Sequence, residues 1–122
     1  MTDIKKFTSF ATSNCYLVRT FDNEIVFLID LHPNIDEVLD YIRKHSLTIG
    51  GAFITHGHWD HAIGLSSFDS KAYINLDDEH LARNPSEQIG DFLGDKVSVK
   101  KYEGNLHNTI ICLYSRTLKM SI

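Results

Sequence analysis

Four side chains able to bind a metal ion stand within six residues, His56, His58, Asp60 and His61, in the stretch "THGHWDH". Imidazole nitrogens and carboxylate oxygens are donors that zinc, iron and manganese accept. In an extended segment, residues two apart point the same way, so His56 and His58 can grip one ion together. Asp60 and His61 come after the bend and can address a second position close by. Gly57 permits tight backbone geometry between the first two ligands. Histidines also occur as ordinary polar residues at turns and helix starts, but such a density of ligand types directly behind an apolar strand favours a metal centre.

The cluster needs a scaffold, and the chain alternates strand and helix signals on either side of it. "IKKFTSFA", "NCYLVRT" and "EIVFLID" predict three strands, the last the strongest, with "FDNE" as a hairpin turn between the second and third. Pro33 and Asn34 then open a helix that places Ile35, Val38, Leu39 and Ile42 on one face. Asn34 is its expected N-cap, with Glu37 placed to complete a capping box, and the helix should end near His45, before Gly50 and Gly51. "AFIT" follows as a short central strand whose end carries the histidines. Beyond them, "DHAIGLSSF" predicts a short helix, "KAYIN" a strand, "DDEHLAR" a helix stopped by Asn84 and Pro85, and "SEQIGDFLG" one more helix. "VSVKKY" and "TIICLY" predict late strands.

Composition limits what this scaffold can be. The 122 residues suit one domain, with 43% hydrophobic and 23% charged residues as in soluble globular proteins. No stretch is apolar for long enough to span a bilayer, and no membrane association is expected. The opening "MTDIKKFTSF" lacks the apolar core of a secretory signal, so the expectation is a cytoplasmic protein. Cys15 and Cys112 are then expected as free thiols. A formal charge of -4, with only Lys5–Lys6 and Lys100–Lys101 as basic pairs, argues against a nucleic-acid surface.

The complete run His56, Gly57, His58, Trp59, Asp60, His61 resembles the His-x-His-x-Asp-His signature of the metallo-β-lactamase-fold hydrolases. "NCYLV" resembles that family's second strand and "FLID" its third, which ends in an aspartate, here Asp30. The resemblance implies an αββα sandwich in which His56 and His58 belong to a first metal position, and Asp60 and His61 to a second. Zinc is the expected metal, as one or two divalent ions, with iron or manganese as alternatives. Asp30 would stand close behind the metals, or would cap a loop at its strand end.

Family members are considerably longer, and their later half supplies a third histidine, a bridging aspartate and a last histidine. No segment like "HTPGHT" follows Lys71. The resemblance covers about Thr8 to Tyr102, and the tail from residue 103 to 122 departs from it. The expected fold is therefore α/β: an αββα sandwich truncated to its first half, a mixed sheet with helices in one incomplete domain over residues 1–122. A truncated or frame-shifted reading frame, or half of a split site, is the matching expectation for the tail.

The chemistry that the resemblance implies is hydrolysis of a small-molecule substrate by metal-activated water, with Asp60 as the catalytic residue that orients the water or takes its proton. Among the branches, hydroxyacylglutathione hydrolase-like thioester hydrolysis fits first. A ribonuclease Z-like phosphodiesterase suits the acidic charge less well. The flavo-diiron branch usually has Glu where His58 stands, and true β-lactamases are generally exported. The alternative from another class is a degenerate half domain that binds at most one ion, catalyses little, and pairs with itself or with a complementing fragment through exposed sheet surface. The other histidines are expected elsewhere: His80 on a solvated helix face, His45 in a last helical turn, His107 in the unmatched tail, and His32 as plain surface beside Pro33.

Overall fold

Strands β2 (Asn14–Arg19) and β3 (Ile25–Ile29) bury every second residue, whereas β1 (Asp3–Thr8), with its apolar Ile4 and Phe7 three apart, is held by its pairing with β2. Cys15, Leu17, Val26 and Leu28 are buried on one face, while Tyr16, Phe27 and Ile29 look the other way and are less covered. The computed structural model describes residues 3–20, 24–89 and 101–109. The three strands pair antiparallel as a meander, and residues 21–23 of the predicted "FDNE" turn lie outside the described residues. Parallel strands β4 (Thr48–Phe53), β5 (Ala72–Ile74) and β6 (His107–Asn108) extend the sheet in the order β1-β2-β3-β4-β5-β6. The result is a mixed sheet with helices, as expected.

Helix α1 (Ile35–Lys44) joins β3 to β4 and buries Ile35, Val38 and Ile42, with Leu39 and Tyr41 packed alongside. Asp36 and Glu37 in its first turn and Arg43 and Lys44 in its last complement the helix dipole. The capping box is not formed. Asn34 is the N-cap residue but makes no side-chain capping bond; its Oδ1 accepts instead from the Phe10 N–H at 2.8 Å, tying the loop after β1 to the helix start. A long-range donor has taken the acceptor that the local pattern reserved for the helix.

The Gly50–Gly51 pair is another correction, because it lies inside β4 rather than before it. The register slips between Val26 and Phe27, where Gly50 is the extra residue of a bulge. A Cβ at Gly50 would lie 2.7 Å from the Phe27 ring, so the absence of a side chain lets that ring cover the strand.

Sheet residues Phe7, Leu17, Leu28, Ala52 and Ile74 meet α1 and Leu31 in one core. Each fully buried Leu or Ile there contributes about 1.5–3 kcal/mol by leaving water. On the opposite face Phe27, Phe53 and Tyr73 form a partly buried row, with centroids 6.4 and 5.2 Å apart.

The end of the histidine segment forms α2 (Trp59–Ala62), and after it come a 3₁₀ turn (Ile63–Ser67), β5, a second 3₁₀ turn (Leu76–Asp78), α3 (Glu79–Arg83) and α4 (Ser86–Ile89). The remainder of "SEQIGDFLG" lies outside the described residues. So do Val97 to Lys100 of the predicted "VSVKKY" strand; Lys101 and Tyr102 are not strand, and the Tyr102 N–H donates to the Arg83 carbonyl at 2.8 Å. Of "TIICLY" only Thr109 is described, and the late strand pairing falls just before it, at His107–Asn108. No helix among the described residues is long and apolar enough to cross a membrane.

Candidate metal centre

Because β3 and β4 run parallel with Ile29 opposite Phe53, the segments that follow them leave the sheet side by side. Asp30 leads one and Thr55 stands in the other. The Asp30 N–H donates to the Phe53 carbonyl at 2.8 Å, and its backbone turns with φ 65°, a left-handed conformation that Asp tolerates better than most residues. That turn buries the carboxylate, leaving the residue 5% exposed. Its Oδ1 accepts from the Thr55 N–H at 2.7 Å, the Thr55 hydroxyl lies 2.9 and 2.8 Å from its two oxygens, and Oδ2 accepts from His61 Nδ1 at 2.7 Å.

His61 reaches Asp30 from α2. The Leu31 N–H donates to the His61 carbonyl at 2.8 Å, and the His61 N–H to the His58 carbonyl at 2.9 Å, so α2 is fastened to the loop after β3. Three imidazoles thereby adjoin: the His56 ring lies 4.2 Å from that of His61 and 4.8 Å from that of His58, centroid to centroid. Asp60 Oδ2 is 3.7 Å from His61 Nε2. All four predicted ligands are thus in one place, with His56, Asp60 and His61 half-buried and His58 exposed.

The ligand loop is held from below by residues that sequence reasoning did not single out. The Gly57 N–H donates to Asp78 Oδ2 at 3.2 Å. A Cβ at Gly57 would lie 2.7 Å from the Asp78 carbonyl and 2.8 Å from Leu81 Cβ, so the loop lies flush against α3 only as glycine. Gln88 grips the same loop with both ends of its amide. Its Oε1 accepts from the Trp59 N–H at 2.9 Å, and its Nε2 donates to the Gly57 and Leu81 carbonyls, each at 3.0 Å. Thr55 could have been flagged as the hydroxyl adjoining the first histidine. Gln88, far along the chain, carried no local signal.

Three imidazoles and a carboxylate suit a borderline divalent ion such as zinc, and metal-binding histidines commonly donate their other ring N–H to a carboxylate, as His61 does to Asp30. The donor set therefore fits a metal. Among the described residues, no group of three or more His, Cys, Asp or Glu side chains is already drawn together tightly enough to hold an ion. The rings pack against one another at 73° and 45°.

His32 overturns its expectation. It is fully buried, not surface, and neither ring nitrogen has a hydrogen-bond partner among the described residues. Burial pulls its pKa below the ordinary 6.5; the carbonyls of His32 itself and Phe7 and the charge of Glu37 oppose that pull without closing a hydrogen bond. Pro33 misled because the loop is folded inward, with the Gly64 N–H donating to the Leu31 carbonyl at 2.9 Å. His80 is on an exposed face as expected, 2.8 Å from Glu87, and His45 caps α1, its Nδ1 2.9 Å from the Tyr41 carbonyl. His107 stands against Tyr73 in β6, with centroids 5.2 Å apart. Cys15 is a free, fully buried thiol whose pKa burial, helped by the Asp30 charge, pushes up to about 12; Cys112 lies outside the described residues.

A cavity of about 310 Å³ lined by Ile29, Phe53, Ile54, Thr55, Asn75 and Thr109 adjoins the cluster at Thr55. A larger groove of about 710 Å³ lies at the opposite ends of β4 and β5, among Ile49, Gly50, Lys71 and His107. The smaller cavity is the one beside the chemistry.

Comparison with known proteins agrees with this fold. The chain is 40% identical over 71 residues to a hydroxyacylglutathione hydrolase of Saccharophagus degradans, a match covering 58% of this chain and 26% of that protein. A hydroxyacylglutathione hydrolase of Shewanella oneidensis is 29% identical over 100 residues, covering 82% of this chain and 36% of its own. The chain thus spans about a quarter to a third of the length of these relatives. Its fold is similar to the crystal structure of the BLEG-1 B3 metallo-beta-lactamase, with a TM-score of 0.64 at 18% identity over 89% of this chain and 54% of that one. The sequence profile of the metallo-beta-lactamase superfamily matches residues 9–85, the span that runs from the end of β1 past the histidine cluster, and the chain belongs to that superfamily.

Proposed function

We propose that this chain carries the metal-binding portion of a hydrolase that cleaves small thioesters of the hydroxyacylglutathione type. The carrying observation is the cluster of His56, His58 and His61 at the ends of parallel strands, with Asp30 bonded to the far side of His61. His56, His58, Asp60 and His61 would hold one or two divalent ions, zinc first, with iron or manganese as alternatives. Held there, a divalent ion would supply Lewis acidity and a water that ionises near neutral pH. Asp60, with Oδ2 3.7 Å from His61 Nε2, is the residue that would orient such a water or accept its proton. The apolar cavity by Thr55 receives part of the substrate. A cytoplasmic setting belongs to the same reading, supported by the use of Cys15 as a buried thiol.

A second reading is favoured by the partly buried row of Phe27, Phe53 and Tyr73: a half domain with little activity, completed over that face by a second copy or by a complementing fragment. Phosphodiester hydrolysis is a further alternative chemistry for the same residues. Elemental analysis of the purified protein, beside a His56→Ala, His58→Ala double variant, comes first. Near-stoichiometric metal that is lost in the double variant supports the site, and turnover of a hydroxyacylglutathione thioester, abolished in His58→Ala, supports the activity. Metal without turnover of thioesters or phosphodiesters favours the half domain. No metal in either protein overturns the proposal.

A further inference from the structure

The contacts around Thr55 specify where protons sit. An ionised carboxylate only accepts, so the single hydroxyl proton of Thr55, 2.8–2.9 Å from both Asp30 oxygens, points to Asp30. Were it turned to His56 instead, the hydroxyl and carboxylate oxygens would face each other at that distance with no proton between them. With its proton committed, the hydroxyl can only accept from His56 Nδ1, 2.9 Å away. His56 must then carry its proton on Nδ1. His61, whose Nδ1 is 2.7 Å from Asp30 Oδ2, must do the same.

We propose that the one buried carboxylate of Asp30 fixes the tautomers of two histidines, His61 directly and His56 through the Thr55 hydroxyl, which makes Thr55 a positioning residue. Both rings then offer the Nε2 lone pair outward. An imidazole presents a lone pair to a metal only at its unprotonated nitrogen, so the relay readies two ligands before any ion arrives. That last consequence rests on the metal-centre reading; the proton positions do not.

The test is the ¹⁵N ring spectrum of the full chain, freed of metal, at a pH where histidine is neutral. Nδ1–H signals for both His56 and His61 are expected. In Thr55→Val, His56 should move to the Nε2–H form while His61 keeps its own, and Thr55→Ser should restore the original pattern. Zinc affinity measured on the same proteins should fall about 10–100-fold in Thr55→Val and return in Thr55→Ser. An Nε2–H form at His56 in the unaltered protein overturns the relay, whatever the variants do. Nδ1–H signals at both rings in a protein that binds no metal leave the relay standing and sink the metal-centre reading instead.

Discussion

Asp30 and His32 lie two residues apart in the same loop, and the molecule buries them in opposite ways. Asp30 sits where two strand ends converge, and every approach to its carboxylate carries a donor: the Thr55 N–H, the Thr55 hydroxyl and His61 Nδ1. His32 is turned towards the core and meets no hydrogen-bond partner among the described residues. Burial is nearly the same at both positions, but its energetic meaning is not. A saturated buried group is costly to remove, because its partners are stranded; a bare one is costly to keep.

The largest effect should come from Asp30→Ala. It leaves three donors unpaired beside the histidine loop and places alanine at a positive φ, for an expected loss of about 3 kcal/mol in urea unfolding, together with any zinc binding the protein shows. If the loss is no larger than for an exposed carboxylate, the contrast with His32 is broken. Gln88→Ala extends the contrast to a partnered amide, removing the ties to Gly57, Trp59 and Leu81. A loss of about 1–2 kcal/mol is expected, measurable by the same unfolding series, with zinc bound more weakly by calorimetry.

His32→Leu should act in the other direction, raising stability by about 1 kcal/mol at neutral pH. It should also flatten the acid side of the stability curve. With its folded pKa below the ordinary 6.5, the ring stays neutral in the folded chain while the unfolded chain takes up a proton. Stability is therefore fully present above about 6.5 and falls as the pH drops towards the lowered folded value. Unfolding midpoints from pH 7.5 down to about pH 5 should show a slope in the unaltered protein that is shallower in His32→Leu. The smallest effect is a null result: Cys15, with its pKa near 12, should stay unlabelled by a thiol reagent at pH 8 until the protein unfolds.

This pairing also marks the border of what was legible in the sequence. The gathering of His56, His58, Asp60 and His61 was legible because all four are close in the chain and follow a strand, and Asp30 because it ends one. Helix α1 was legible from periodicity, and the meander and the short helices from strand composition and from turn and stop residues such as Asn84 and Pro85. His32, Asn34 and the glycine pair were misjudged for a shared reason: a local rule gave way to a partner far along the chain. Pro33 spoke for surface while the loop folded inward; Asn34 spoke for a cap while Phe10 claimed its oxygen; Gly50 spoke for a break while the Phe27 ring needed the space. Gln88 acts entirely through contacts made after folding, which no spacing along the chain encodes, whereas Thr55 adjoins His56 in the chain and only its bonds to Asp30 depend on the fold.

The reach of Gln88 has a consequence in time. It ties down Trp59 and Gly57 from 29 and 31 residues downstream. On a ribosome adding about 5–20 residues per second, the histidine loop is made roughly 1.5 to 6 seconds before the amide that clasps it. Asp30, by contrast, has already been made when the loop appears. The order of synthesis thus delivers the carboxylate first, the histidines second and the clasp last, so the loop gains its far support only after every residue of the cluster is in place.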